Sequence, residues 1–336
     1  MKTSRLGLLK NVLFLASAAL FLIAVLWFAV TQPIIFSGAP STNTVTVSAA
    51  RLATHVRTLS ESFFPRDWKH PENLDRASAY IRAEFEQANG TVSEQPYQME
   101  GKTYRNVIAA FGPDTAERII VGAHYDAAGE FPGADDNASG VAGLIELAYL
   151  LGKTTLPMRV DLVAYTLEEA RTLDGRGLLR TEYGGSAVHA ASLKERGIPV
   201  RIMFSLEMIG FFSDAENSQG YPFSILRLFY PSRGNFIVVI GRLREGWAVR
   251  RVKKAMWAAS PLPVYSFNVP SFVAGIDRSD HSNYWKTGYP ALMITDTSFN
   301  RNEHYHTSQD TPDRLDYSRM AMVVQGVYNA VLEHAR

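Results

Sequence analysis

At 336 residues the chain can bury one large core or two modest ones. A formal net charge of +1, with Lys and Arg scattered rather than grouped, excludes the basic stripe of a nucleic-acid binder, and ordinary apolar (46%) and charged (20%) fractions exclude wholesale disorder. Cysteine is absent, so disulfides, thiolate nucleophiles and thiolate metal sites are excluded together, and any metal must be held by His, Asp and Glu.

The chain opens on a membrane signal. Val12 to Val30 is an uncharged apolar run, long enough at ~1.5 Å per residue to cross a ~30 Å hydrocarbon core. Lys2, Arg5 and Lys10 precede it and no Lys or Arg follows before Arg51, which predicts a cytoplasmic N-terminal tail (1–10), a span (11–31) and an extracytoplasmic remainder. A cleavable signal peptide is the rival. It calls for an apolar core of ~7–15 residues and a small-residue cleavage site. This run is longer, and the small residues Ser37-Gly38-Ala39 are followed directly by Pro40, so the sequence favours an uncleaved anchor.

Residues 32–48, rich in Pro, Gly, Ser and Thr, read as a linker, and 49–336 as one domain. Within that domain the period alternates. Arg51–Ser60 and Pro71–Asn89 are expected helices, the second with Ala77, Ile81, Phe85 and Ala88 on one face. Tyr104–Phe111 and Arg118–His124 are expected strands, the latter a continuous apolar run suited to burial on both faces. Asn137–Leu151 predicts an amphipathic helix. Further strands are expected at Arg159–Thr166, Val200–Leu206, Asn235–Ile240 and Ala291–Thr295, and further helices at Ala187–Arg196, Glu245–Ala258 and Asp316–His334, with Asp316 as N-cap. Repeated strand–helix alternation predicts a three-layer α/β/α sandwich around a mostly parallel mixed sheet, with functional residues just beyond the strand ends.

Five polar segments fall at such places: His124-Tyr125-Asp126, Asp135 to Gly140 (DDNASG), Glu168-Glu169, Glu207, and Tyr305-His306-Thr307. Each has a bland explanation. A His at a strand end is usually a satisfied polar residue, Asp-Asp-Asn before a helix is most simply an N-cap, and paired Glu after a strand is often solvated. Their combination changes the balance, because like charges gathered at the rim of one sheet are costly unless a cation compensates them. Oxygen and nitrogen ligands without thiolate suit a catalytic zinc site.

These segments resemble the superfamily of zinc aminopeptidases, glutamate carboxypeptidases and glutaminyl cyclases, from about residue 70 to the C-terminus. The resemblance is carried by H-x-D at 124–126, P-G-A-D-D-N-A-S-G at 132–140, E-E at 168–169, S-D-H at 279–281 and Y-H-T at 305–307. It implies two zinc ions bridged by Asp136, with His124 and Glu207 completing one site and Glu169 and His306 the other. Glu168 would then be the general base, Asp126 and Asp280 supporting acids behind His124 and Glu168, and Tyr305 a hydroxyl donor to the developing oxyanion. Glu168 and Glu169 can both face such a site only from a turn, since neighbours on a strand point opposite ways. Three departures stand out. Glu207 occupies a position where most members have Asp, Leu167 one where they often have Gly, and Ala170 to Gly184 is a longer connection expected to form a loop over the cleft. Its Arg171, Arg176 and Arg180 could meet a substrate carboxylate, though such arginines are more often solvated.

The implied function is a membrane-anchored zinc exopeptidase acting on peptides, most simply an aminopeptidase. A glutaminyl cyclase on the same fold is the alternative, disfavoured because the cyclases resembling this chain carry Trp where it has Tyr305. A non-catalytic binding domain is disfavoured because Glu168 and every ligand position are retained. A serine hydrolase lacks its G-x-S-x-G elbow here, and no H-E-x-x-H zinc helix is present.

Overall fold

The computed structural model describes residues 2–34, 46–171, 177–179, 181–273 and 275–336. In chain order the elements are α1 (Lys2–Thr31), α2 (Ala49–Arg57), α3 (Pro71–Gln87), β1 (Thr91–Met99), β2 (Lys102–Phe111), β3 (Arg118–His124), α4 (Gly140–Leu151), β4 (Arg159–Tyr165), α5 (Gly185–Glu195), β5 (Val200–Glu207), β6 (Ile237–Arg242), α6 (Gly246–Trp257), β7 (Val264–Val269), α7 (His281–Lys286), β8 (Ala291–Thr295) and α8 (Tyr317–Ala335). The eight strands form one mixed sheet in the order β1-β2-β4-β3-β5-β8-β6-β7. Strands β4, β3, β5 and β8 are parallel; β2 is antiparallel to β4 and β1 to β2, while β6 and β7 run together, antiparallel to β8.

The core sits on both faces of this sheet, as the expected sandwich requires. Side chains of α2, α3, α4, α6 and α8 pack with Val121, Phe204 and Ile294 on one face, and α5 and α7 pack with Ile120, Met203 and Ala291 on the other. Successive residues of β3 and β5 thus serve opposite layers, and both strands are buried along nearly their whole length. The expected N-cap at Asp316 is present: its carboxylate accepts from the Arg319 amide at 2.9 Å.

Two strands lie outside the sequence reading, β1 and β7, one at each edge of the sheet. Strand β1 carries Pro96 and is largely exposed, the pattern of an edge rather than a core strand. Strand β7 hides its signal differently. Its polar residues Ser266 and Asn268 are fully buried because they hold the end of α1.

That end is fastened by side chains. The Thr31 carbonyl accepts from Ser266 Oγ at 2.6 Å and Lys253 Nζ at 2.7 Å, the Gln32 carbonyl from the same ammonium at 2.9 Å, and the Ala29 carbonyl from Asn268 Nδ2 at 3.2 Å. These are the carbonyls a helix terminus leaves without partners. Beyond them, Leu9–Thr31 is long and apolar enough to cross a membrane, with a mean hydropathy of 2.6. Most of the expected linker, 35–45, lies outside the described residues, but both flanks are held: Gln32 is buried, and Thr46 bonds to Gln325 of α8 at 3.1 and 2.9 Å.

Lys253 is itself buried, and burial with the nearby Arg250 lowers its pKa to about 8. Replacing it by Met removes two charge-assisted bonds from one dry site, a loss on the order of 2–3 kcal/mol. The full-length Lys253→Met protein is therefore expected to unfold at lower temperature in detergent and to be cleaved faster by protease just after Thr31. An unchanged melting temperature would show that the α1 end is not held there.

Candidate metal centre

The parallel strands end in polar residues at one rim of the sheet. His124 closes β3 and Glu207 closes β5; Glu168 and Glu169 follow β4, and His306 follows β8. Asp136 enters from the segment between β3 and α4. This segment is not the simple N-cap that Asp-Asp-Asn suggests. The carboxylate of Asp310, from the loop that also carries His306, accepts from the amides of Asp135 at 3.0 Å and Asp136 at 3.1 Å. Asn137 turns the other way, donating to Leu206 O and accepting from the Met208 amide, so it ties the segment to β5.

Asp136 is thereby held between two imidazoles. Its Oδ1 lies 3.4 Å from His124 Nε2, and its Oδ2 lies 3.0 Å from His306 Nε2. Glu207 Oε2 is 3.4 Å from His124 Nε2, and Glu169 Oε1 is 2.7 Å from His306 Nε2. Donor atoms of one tetrahedron at ~2.0–2.1 Å from a zinc ion stand ~3.3 Å apart. Both oxygens of Asp136 and the Nε2 of His124 are buried without a hydrogen-bond partner, which a structure tolerates where a cation completes the site. Among the described residues two sets could hold an ion: His124, Glu168 and Glu207, and Asp136, Glu169 and His306, each with donor atoms within 4.8 Å of one another. The donor set fits zinc.

The support around these residues explains the departures noted in the sequence. Asp126 accepts the amides of Glu168 at 3.2 Å and Glu169 at 3.0 Å, fixing the Glu pair in the turn that lets both face the centre. The Asp126 carbonyl also lies 3.2 Å from His124 Nδ1, so the ring presents Nε2 inward. Leu167 adopts φ 63°, a left-handed conformation that favours Gly at this position and costs another residue ~1–2 kcal/mol. Its fully buried side chain offsets part of that. The longer arm of Glu207 is braced by Ser279, whose hydroxyl donates to Oε2 at 2.7 Å and meets Ser205 Oγ at 2.9 Å. Asp280 is buried with both oxygens free of hydrogen-bond partners, whereas His281 turns away to the carbonyl of Ile276. The Tyr305 ring stacks on His306, 3.7 Å between centroids, and lines the cleft beside the Glu pair. Arg171 also lines the cleft; Arg176 and Arg180 lie outside the described residues.

Surplus negative charge shapes the titration of the centre. Burial pulls the His124 imidazole towards neutrality, but the surrounding carboxylates of Glu207, Glu168, Asp126 and Asp136 outweigh it and hold its pKa well above the ordinary value. His306 is lifted to about 10 against burial by Asp136 and Glu169. Burial, reinforced by Asp136, raises Glu169 to about 7; burial also raises Asp280 to about 7 and Glu168 well above its usual range. Asp136 moves down, since its two imidazoles outweigh its burial.

Asp310 was not visible as a functional residue, and Asn137 and Ser279 stood inside the 132–140 and 279–281 motifs without a role. Their partners lie far away in sequence, 175 residues in the case of Asp310 and Asp135, so no local pattern marks them.

Comparison with known proteins decides the family. The sequence profile of "Peptidase family M28" matches residues 106–331, most of the chain. The chain belongs to peptidase family M28. It is a metallopeptidase, and the match takes in every residue of the centre. It is 46% identical over 288 residues to the uncharacterized protein YfbL of Escherichia coli (strain K12), covering 83% of this chain and 86% of that one. It is 24% identical over 312 residues to leucine aminopeptidase 1 of Grosmannia clavigera, covering 86% of this chain and 66% of that one. Two solved structures share the fold: the LapA aminopeptidase of Legionella pneumophila (TM-score 0.64, 21% identity, 86% of this chain and 72% of that one) and the glutaminyl cyclase of Bacteroides thetaiotaomicron (TM-score 0.64, 18% identity, 86% and 99%).

The raised carboxyl groups of this M28 site give its metal-stripped form a definite pH dependence. Glu169 and Asp280 titrate near 7 when folded but near ~4 when unfolded, so the folded state binds extra protons between those values and stability falls as pH rises through that window. His306, folded at about 10, extends the fall above its unfolded value near ~6.5. Chelator-treated protein is expected to melt at lower temperature near pH ~8 than near pH ~5.5, while added zinc should stabilise it most at the higher pH, where the ligands have lost their protons. Calorimetry at both pH values, with and without zinc, checks both signs.

Proposed function

We propose that this M28 peptidase is a two-zinc aminopeptidase, anchored by α1, that removes large apolar residues from the N-termini of extracytoplasmic peptides. The observation that carries the two-ion reading is the carboxylate of Asp136, one oxygen facing His124 and the other His306. His124, Asp136 and Glu207 would hold one ion, and Asp136, Glu169 and His306 the other. Bound there, the metal would polarise the scissile carbonyl and acidify a water.

The protein's own groups do the rest. Glu168, half-buried and held from behind by Asp126, takes the proton from the attacking water and gives it to the leaving amine. Its raised pKa suits a group that must hold that proton between the two transfers. Burial keeps Glu168 from ionising too readily, and Asp280, whose carboxyl oxygens are unpartnered in the same charge cluster, adds to it. Tyr305 lines the cleft beside the Glu pair, from where its hydroxyl would donate to the oxyanion. So many carboxylates favour a substrate that brings a positive charge, as an α-ammonium does, over one that brings a C-terminal carboxylate.

Substrate preference follows from the cleft, a cavity of about 410 Å³ beside the metal centre. It is lined by Val238 and Ile240 of β6, Phe267 of β7 and Met293 of β8, and by Tyr221, Phe223 and Leu226 of the stretch between β5 and β6. A pocket so lined recognises a bulky apolar side chain by exclusion of water. The anchor reading is supported by the bonds that hold Ala29, Thr31 and Gln32, since these tie the span to the folded domain rather than to a segment made for removal.

Three variants test the mechanism. Asp136→Ala should lose both ions and activity, and metal analysis that finds zinc unchanged would refute the bridge. Glu168→Gln should keep zinc yet lose roughly 10²–10⁴ in kcat, whereas Glu169→Gln should bind zinc weakly and recover partly as zinc is added. Assays that follow released amine and ammonia separately also detect cyclisation of N-terminal glutamine, and ammonia without peptide cleavage would overturn the peptidase reading.

Specificity has its own test. Ile240→Trp should fill the cleft and lower kcat/KM for Leu- and Phe-terminal peptides by roughly tenfold or more, with little change for Ala-terminal ones. Equal losses on all substrates would mean that the cleft does not receive the N-terminal side chain.

A further inference from the structure

The direction of β6 and β7 fixes which end of the molecule carries α1. Both run antiparallel to β8, with Val238 opposite Thr295 and Ile240 opposite Met293. Their C-terminal ends, Arg242 and Val269, therefore lie at the end of the sheet opposite the rim that carries His124 and Glu207. Strand β7 bonds the last turn of α1 in reverse order, Ser266 to Thr31 and Asn268 to Ala29. On α6, Arg250 stacks on Phe28 at 4.4 Å and Lys253, further along the helix, reaches Thr31 and Gln32. Following α1 back towards its N-terminus thus leads past the far end of β7. Exposure rises along the way, from 7% at Gln32 to 40% at Trp27 and 72% at Phe21.

At this end large apolar side chains stand free of the core: Phe272 after β7 is 86% exposed, Trp247 at the start of α6 72%, and Leu243 in the turn just before α6 46%. Cations accompany them. Trp247 borders a groove between α6 and α8 with Arg250, Arg251, Lys254 and Arg336 against the single acid Glu333, and Arg244 stands in the turn before α6. Aromatic and aliphatic side chains ringed by Arg and Lys are the composition of a surface that sits in the headgroup region of a bilayer.

We infer that this end of the domain rests on the membrane, with Phe272, Trp247 and Leu243 dipping into the interface and the cations of the α6–α8 groove meeting anionic lipid phosphates. The inference rests on the reading of α1 as a span, and that continuity is what selects the occupant: where α1 enters lipid, the lipid surface is already beside these side chains. It also orients the enzyme. The metal centre lies at the opposite end of the strands, so substrates reach it from water and not from the bilayer.

The absence of cysteine makes the test direct. Single-cysteine variants Trp247→Cys, Phe272→Cys, Glu303→Cys at the metal-centre end, and Phe21→Cys within α1 are spin-labelled in the full-length protein, in phosphatidylcholine vesicles containing phosphatidylglycerol. Collision with lipid-soluble oxygen is compared with collision with a water-soluble nickel chelate. The labels at 247 and 272 should lose most of their contact with nickel and report a depth of ~5–10 Å, while the label at 303 stays in water. Omitting phosphatidylglycerol should make both labels shallower, and no change would overturn the anionic contact. Labels at 247 and 272 that stay in water while 21 is in lipid would overturn the docking and leave the anchor standing. A label at 21 in water would remove the anchor and the docking with it. Shielding that persists in lipid-free detergent and grows with protein concentration would assign the face to a second copy instead.

Discussion

The architecture is organised around one expensive act: placing the Asp136 carboxylate, 2% exposed, between two imidazoles with no hydrogen-bond donor of its own. Its position depends on groups that never approach a substrate. Asp310 holds the amides before it, and Asn137 and Ser139 tie the segment to the backbone just after β5. The same economy governs the Glu pair, where one carboxylate, Asp126, fixes two successive amides and leaves both Glu side chains free to face inward. A charge cluster of this kind is unfavourable as bare electrostatics and becomes favourable with cations in it. The rim of the sheet is therefore best understood as a binding site that the fold is made to tolerate.

Much of this was legible in the sequence because it is written in strand ends. A run such as Ile119 to Ala123 can only be a buried strand, so the His that follows it must lie at the rim. The same logic located Glu168, Glu169 and Glu207. Leu167 was legible as an oddity, and its left-handed backbone supplies the reason that Gly suits the position. Other features were hidden by distance or by reversed roles. Asp310 sits in an ordinary polar loop and acts on residues far back in the chain. The buried Ser266 and Asn268 make β7 read as irregular, since polar residues facing the core give no alternation to recognise. The apolar cleft was equally invisible, because its lining combines residues of three strands with the irregular stretch between β5 and β6.

The mixed sheet divides the molecule by task. The parallel strands β3, β4, β5 and β8 end together and supply the centre, while the reversed pair β6 and β7 lines the cleft and supplies the seat for α1. A single reversal of direction thus lets one sheet present the proposed chemistry at one end and receive α1 at the other.

The spacing of the proposed ligands along the chain has a consequence for biosynthesis. His124 is the first and His306 the last, and the Asp310 brace lies later still. A chain drawn across a membrane behind an N-terminal anchor emerges in sequence order. On the proposed topology one ion position awaits Glu207 and the other His306, so the pair would not be complete until nearly the whole polypeptide had left the cytoplasm. Such a hydrolase would be inert wherever it is still being made, with its activation timed by translocation and by metal supply on the far side and no need for an inhibitory segment.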